Sequence, residues 1–358
     1  MGQSPNSTSY NYENRGIPFF QGNADFGEKY PSIRLWCDKP IKIASINDIL
    51  ISVRAPIGDL NYANTICCIG RGLASITLNK NDYIKEYIFY LLKSKKTELN
   101  YLGTGSTFKA ISKKNLENIE VPIISIDKQY IIVSKIEKIS KIITKKKYQL
   151  ELLDDLVKAR FVEMFGTLQD NENGFDVVTI ADVCSLIKDG THQTPTYTED
   201  TDKGFKFLSS KDVMTQKIDW SDIKYIPADL HEKLYATIQP KRNDILMSKN
   251  GVNYGVAAVN DTDEIFDIYV SLALLRPTEV INPVFFRCVI NNLDTKRQFD
   301  GSIKGIGVPN LHLGEIKKTK IFLPPMELQN EFVRFVAQVD KSKFLSNHSL
   351  FLLKSITF

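Results

Sequence analysis

DKQYIIVSKIEKISKIITKKKYQLELLDDLVKARFVEMFG, residues 127–166, places apolar side chains at Ile132, Ile136, Ile139, Ile143, Leu150, Leu153 and Val157. The steps alternate between four and three, with Lys146 in the one slot that is not apolar, which is a heptad seam rather than a broad amphipathic face. No proline occurs between Pro122 and Pro195 and no glycine between Gly105 and Gly166. Nothing therefore interrupts a helix of about forty residues, roughly 60 Å long. A seam that narrow and that long requires a partner helix.

The partner lies in the same chain. A shift of 200 residues places Asp127 on Glu327, Gln129 on Gln329, Ile132 on Phe332, Ile136 on Val336, Ile139 on Val339, Leu150 on Leu350 and Leu153 on Leu353. Upstream, Val121 and Ile123 meet Ile321 and Leu323. NDILIS (47–52) meets NDILMS (243–248) at a shift of 196, and GIPFF (16–20) resembles GFKFL (204–208) at 188. A shift that widens in steps marks loop insertions in a tandem duplication, and two copies of about 190 residues are too few for a solenoid. The second copy matches Gly190 to Gly2, so 175–188 has no counterpart and the first copy is expected to lack its opening strand.

The expected fold class is α+β: two duplicated domains, each followed by a long helix, the two helices forming an antiparallel coiled coil. The expected boundaries are 1–124 for the first domain, 125–168 for the central helix, 169–324 for the second domain and 325–358 for the last helix. Strands are predicted at Ile17–Phe20, Ile49–Val53, Leu73–Leu78, Phe205–Leu208, Asp244–Ser248 and Tyr269–Leu275, with helices at Ile84–Leu99 and Pro283–Leu293. NENG (171–174) reads as a turn.

The chain has 358 residues, is 43% hydrophobic and carries a formal charge of +4. It can bury two cores, and a polyanion would have to meet a local patch rather than a uniformly basic body. No apolar run suits a membrane span and the N-terminus has no hydrophobic targeting core, which points to the cytoplasm. The five cysteines lack metal-site spacing and read as reduced structural thiols. Catalytic motifs are absent in the same way. YLGTG (101–105) follows a polar stretch and not a buried strand, LPPME (323–327) shares only its prolines with an adenine methyltransferase motif, and the four histidines are scattered surface or capping residues. No catalytic residue, metal ligand or cofactor is expected.

What differs between the copies is the loops. After NDIL[IM]S the first copy continues with Arg54 and the second with Lys249 and Asn250. GTGSTFKAIS, with Thr107 and Lys109, is replaced by GSIKGIGVPN, with Lys304 and Asn310. Arg and Lys suit guanine edges and phosphates, and Asn suits adenine. These seven residues, with Arg71 and Lys211, are the candidate DNA contacts, although a single loop lysine is more often merely solvated. The central helix adds nine cations against six acidic residues, suited to a DNA backbone, a partner subunit or an ordinary charged coiled-coil flank.

GQSPNSTSYN, GIPFFQGNADFG, DILISVRAPIGDLNYAN, CIGRGLASI, LVKARFVEMFG and IKDGTHQTPTYTED together resemble the specificity subunit of a type I restriction and modification enzyme. The resemblance covers essentially the whole chain in the order domain, helix, domain, helix. It implies two target recognition domains, each reading half of a gapped double-stranded DNA site, with the helices as a ruler between them. It implies methyltransferase subunits docked on the helices, an endonuclease subunit joining that complex, and no active site in this subunit. Similar proteins begin with a segment like 175–188. The competing readings are a coiled-coil adaptor that binds no DNA and a stand-alone DNA methyltransferase.

Overall fold

The computed structural model describes residues 1–78, 82–105, 109–303 and 309–357. The chain forms two compact units, Met1–Tyr148 with Asn347–Phe358, and Gln149–Ser346. Both divisions fall inside a long helix rather than in a loop.

In the first unit, strands β1 (Tyr10–Asn11), β2 (Ile17–Phe20), β3 (Trp36–Cys37), β4 (Ile43–Ala44), β5 (Ile49–Ser52), β6 (Leu60–Tyr62), β7 (Cys67–Ile69) and β8 (Leu73–Ile76) precede helices α1 (Lys85–Ser94), α2 (Lys96–Tyr101) and α3 (Lys113–Glu117). They form two sheets, in the orders β1-β3-β2-β7-β4 and β6-β5-β8. The helix expected over Ile84–Leu99 breaks at Lys95. Leu92 packs with Ile49 and Tyr62 whereas Leu99 packs with Ile51 and Ile57, and the break redirects the chain from one cluster to the other.

The second unit begins within α4 (Ile126–Phe165). It continues through β9 (Asp176–Thr179), β10 (Cys184–Asp189), β11 (Phe205–Leu208), β12 (Lys224–Ile226), α5 (Ala228–Tyr235), β13 (Ile245–Ser248), β14 (Ala257–Val259), β15 (Phe266–Ile268), β16 (Leu272–Pro277), α6 (Pro283–Ile290), α7 (Leu293–Ser302), α8 (Leu313–Lys318) and β17 (Lys320–Leu323) to α9 (Met326–Thr357). The sheet orders are β10-β16-β13-β14, β12-β11-β15 and β17-β9. Of the run Tyr269–Leu275, expected as one strand, only Leu272–Leu275 is strand, within β16, and residues 269–271 form the turn after β15, where Leu272 N–H turns back to the Tyr269 carbonyl. The duplication is visible in the pairing. Parallel β2 and β7 (Phe20 opposite Ile69) recur as β11 and β15 (Leu208 opposite Ile268), and β5 between β6 and β8 recurs as β13 between β14 and β16.

The repeated NDIL[IM]S has a role for each residue. Asn47 and Asn243 both have φ of 73°, a left-handed backbone that asparagine tolerates well. Asp48 accepts from Ser45 N–H and Asp244 from Lys241 N–H, closing the turn. The next three residues are wholly buried in each copy. Ser52 and Ser248 then donate their hydroxyls to the carbonyls of Pro56 and Asn253 and accept from the N–H of Asp59 and Val256. Gly255, at φ +87°, completes the second loop, where a Cβ would lie 2.8 Å from the Phe299 ring.

Within the second unit the long helices run antiparallel. Phe161 and Phe165 of α4 lie 5.5 and 5.6 Å from the Phe332 ring of α9, Arg160 pairs with Glu331 at 3.1 Å, and Lys343 pairs with Asp154. Numbers on α4 fall as those on α9 rise. Of the seam residues here, Phe332, Val336 and Val339 are buried and Leu150 and Leu153 half-buried. In the first unit Leu350 is buried, and Ile136, Ile139, Ile143 and Leu353 are half-buried. Ile132 departs from the series: it is 37% exposed, and its neighbour Val133 is buried instead, against Ile49, Tyr87 and Ile88. The α/β core, and not the seam, sets the rotation of α4 at that end. No helix among the described residues is long and apolar enough to cross a membrane.

Candidate nucleic-acid interface

The divergent loops, more than fifty residues apart in sequence, meet at the same backbone bridge in both units. In the first, Arg54 lies opposite Ala110, with Ala55 N–H donating to the Lys109 carbonyl and Ile111 N–H to that of Val53. In the second, Asn250 lies opposite Asn310, with Gly251 N–H donating to the Pro309 carbonyl and Leu311 N–H to that of Lys249. A third loop joins each corner. Val53 N–H donates to the Gly72 carbonyl, bringing in the turn that carries Arg71, and Lys249 N–H donates to that of Ser271, where Val270 stands in the place of Arg71.

The chemistry of the two corners therefore differs. Arg54, Arg71 and Lys109 are all exposed, and none forms an ion pair among the described residues. Val53 and Ile111 beneath them are buried, and alternation along a strand turns Arg54 away from that core. The second corner presents amides: Asn310 is exposed, and Asn250 is half-buried with its Oδ1 shielded and unpartnered among the described residues. Thr107 and Lys304 lie outside the described residues.

Two candidates are placed elsewhere than a solvated tip. Lys249 is 5% exposed and donates to Asp189 Oδ2 at 2.6 Å, an oxygen that also lies 3.3 Å from His192 Nε2. It occupies the frame position of Val53, so its ammonium is turned inward and braces the end of β10. Lys211 keeps its end in solvent but holds Asp222 at 2.7 Å and Asp212 at 3.5 Å, so its charge is committed.

Burial pushes the Asp189 carboxyl up, but the hydrogen bond and charge of Lys249, with His192, outweigh it and leave the group below the ordinary carboxylate range. A folded-state value below the unfolded one, roughly 3.9, means that the contribution is present above that pH and is lost as pH falls through the folded value. Lys249→Ala, which strands the carboxylate, is expected to cost about 2 kcal/mol in urea unfolding at pH 7. The double replacement Lys249→Val with Asp189→Val is expected to recover most of that loss and to flatten the acid limb.

The sequence gives no sign of a second polar cluster. His231, expected at the surface or as a cap, is 8% exposed, and its Nδ1 lies 2.6 Å from Oδ2 of Asp267, itself 2% exposed. The imidazole stacks on Phe205 at 3.7 Å and lies against Tyr235, and burial pushes the Asp267 carboxyl up. The pair is a strut between α5 and β15, and the sequence separation of 36 between its members hides it from any spacing argument. Burial likewise pushes the Cys67 and Cys184 thiols up to about 12 and that of Cys68 up to about 11. These thiols stay protonated at neutral pH and are poor nucleophiles.

A family model described as type I restriction modification DNA specificity domain matches residues 2–152 and again 172–350. A putative type I restriction enzyme MjaX specificity subunit of Methanocaldococcus jannaschii is 46% identical over 158 residues, 44% of this chain and 37% of that protein. The MjaIX specificity subunit of the same organism is 23% identical over 338 residues, 88% of this chain and 76% of that protein. Among solved structures, a chain from a study of the assembly and conformational transition of the type I R-M system superposes with a TM-score of 0.63 at 17% identity, covering 95% of this chain and 89% of that one.

Proposed function

Because this chain belongs to the type I restriction modification DNA specificity domain family, we propose that it is the DNA-recognition subunit of a type I restriction and modification complex. It reads a bipartite, gapped double-stranded site, one half per recognition domain, and catalyses nothing itself. Residues 1–124 and 169–324 are the recognition domains, and the helical segments 125–168 and 325–358 dock cytoplasmic methyltransferase subunits, through which the endonuclease subunit joins.

The repeated corner supports this reading most directly. One backbone frame delivers Arg54, Arg71 and Lys109 in the first unit and Asn250 and Asn310 in the second. A constant scaffold with exchanged tips suits two different half-sites, with cations for guanine edges and phosphates and amides for adenine.

Co-expression with methyltransferase subunits, followed by mapping of methylated positions across the genome, tests it. The expected result is an asymmetric motif of two short parts separated by a fixed gap, and an ungapped motif or no methylation refutes the reading. In the same assay Arg54→Ala is expected to relax one half of the motif by roughly tenfold and Asn310→Ala the other, on the order of a base contact of 1–3 kcal/mol. Equal loss at both halves from either variant would mean backbone positioning instead of readout.

A further inference from the structure

A fourth segment joins each corner. In the second unit it is the chain leaving β10: Gly190 N–H donates to the Leu272 carbonyl, Thr191 N–H to that of Ile268, and Val270 N–H to that of Thr191. In the first, Gly2 N–H donates to the Leu73 carbonyl and Gln3 N–H to that of Ile69. The approach is close enough to require glycine in both, since a Cβ would lie 2.0 Å from the Ile268 carbonyl oxygen at Gly190 and 2.2 Å from that of Gly70 at Gly2. These matched bonds make Ser4 the counterpart of His192.

The tips of this segment are exchanged, as in the other loops. Ser4 is half-buried, and its Oγ accepts from Arg71 N–H at 3.2 Å, so the long polar side chain here is Arg71 on the neighbouring loop. In the second unit that loop carries Val270, and the long polar side chain belongs to the fourth segment instead. It is His192, 74% exposed.

A chain of charges ties His192 to the frame. Its Nε2 lies 3.3 Å from Asp189 Oδ2, and the same oxygen accepts from the buried Lys249 Nζ at 2.6 Å. Lys249 directly precedes Asn250, which bridges to Asn310. A carboxylate beside one ring nitrogen favours the proton on that nitrogen, so the neutral imidazole keeps its lone pair on Nδ1. No described residue donates to Nδ1. An acceptor is therefore held at the surface of the corner, beside the two asparagines.

We propose that His192 is a further specificity-determining residue of the second recognition domain, its Nδ1 accepting from the exocyclic amino group of an adenine or cytosine in the major groove, with Asp189 as its positioning residue. The proposal rests on the reading of this chain as a DNA-recognition subunit.

Motif mapping and duplex binding by the complex of this chain with methyltransferase subunits test it. His192→Ala is expected to relax one base pair by about tenfold, inside the half-site that Asn310→Ala affects, with the other half-site and the thermal unfolding unchanged. His192→Asn, whose Oδ1 can stand near the place of Nδ1 as an acceptor, is expected to keep most of the preference. Asp189→Asn is expected to relax the same base pair and to add nothing to His192→Ala. Synthetic duplexes lacking the exocyclic amino group of the adenine or cytosine at that pair identify the base. Removing the group that is read is expected to weaken binding by the unaltered complex about tenfold and to leave binding by the His192→Ala complex unchanged. A gapped motif that His192→Ala leaves intact, equal relaxation of both halves, or an amino-group effect that persists in His192→Ala overturns the proposal alone. A complex of the unaltered chain that yields no gapped motif overturns the DNA reading beneath it and the proposal with it.

Discussion

Gln329→Leu is expected to destabilise the second unit by about 3 kcal/mol or more, although leucine matches the apolar seam around it better than glutamine does. Gln329 is 0% exposed, and each polar atom of its amide is engaged. Its Oε1 accepts from Asn282 N–H at 2.8 Å, and its Nε2 donates to the carbonyls of Val280 at 3.1 Å and Pro324 at 2.8 Å. Leucine removes three hydrogen bonds at once and leaves three main-chain groups without partners inside the protein. At about 2–4 °C per kcal/mol for a unit of this size, thermal unfolding should shift down by roughly 6–12 °C. Gln329→Glu, which keeps the acceptor and loses the donors, should fall between, and the exposed Gln338→Leu should change little. A shift below about 2 °C for Gln329→Leu would show that the carbonyls find other partners.

The same amide recurs in the first unit. Gln129, also 0% exposed, accepts from Ile84 N–H and donates to the carbonyls of Asp82 and Ile124. Each glutamine sits in the first turn of a long helix and ties it both to its own lead-in and to the approach of the helix packed beside it, α1 or α6. The coincidence of Gln129 with Gln329 is plain in the sequence, a polar identity within an apolar register. Its purpose is not, because two of the three partners of each amide are backbone atoms more than forty residues away.

That division holds through the molecule. The heptad spacing, the duplication and NDIL[IM]S are legible because each reflects local geometry: helix period, strand burial, and an asparagine whose backbone tolerates positive φ. The inward turn of Lys249 is not legible, since the residue looks like a loop cation until the neighbouring strand brings Asp189 to it. His231 with Asp267 fails for the same reason, and Ile132 fails because α4 answers to two cores and the seam describes only one. The corner of Arg54, Arg71 and Lys109 is half legible: the sequence marks its members as divergent loops, and only the backbone bridges bring them together.

The split at Ile132 can be measured. Ile132 and Phe332 hold the same seam slot in the two copies, yet Ile132 is 37% exposed and Phe332 is 0% exposed. Phe332 is ringed by Phe161 at 5.5 Å, Phe165 at 5.6 Å and Phe285 at 6.2 Å, near edge-on in each case. Phe332→Ala is therefore expected to cost about 3–5 kcal/mol, transfer and cavity terms combined. Phe332→Leu, which keeps most of the volume, should cost clearly less. Ile132→Ala should cost under about 1 kcal/mol, because little apolar surface leaves water at that position. Urea unfolding of the three variants decides the matter. If Ile132→Ala and Phe332→Ala cost the same, the two copies use the seam equally and the rotation of α4 toward the first α/β core is not what holds Ile132 at the surface.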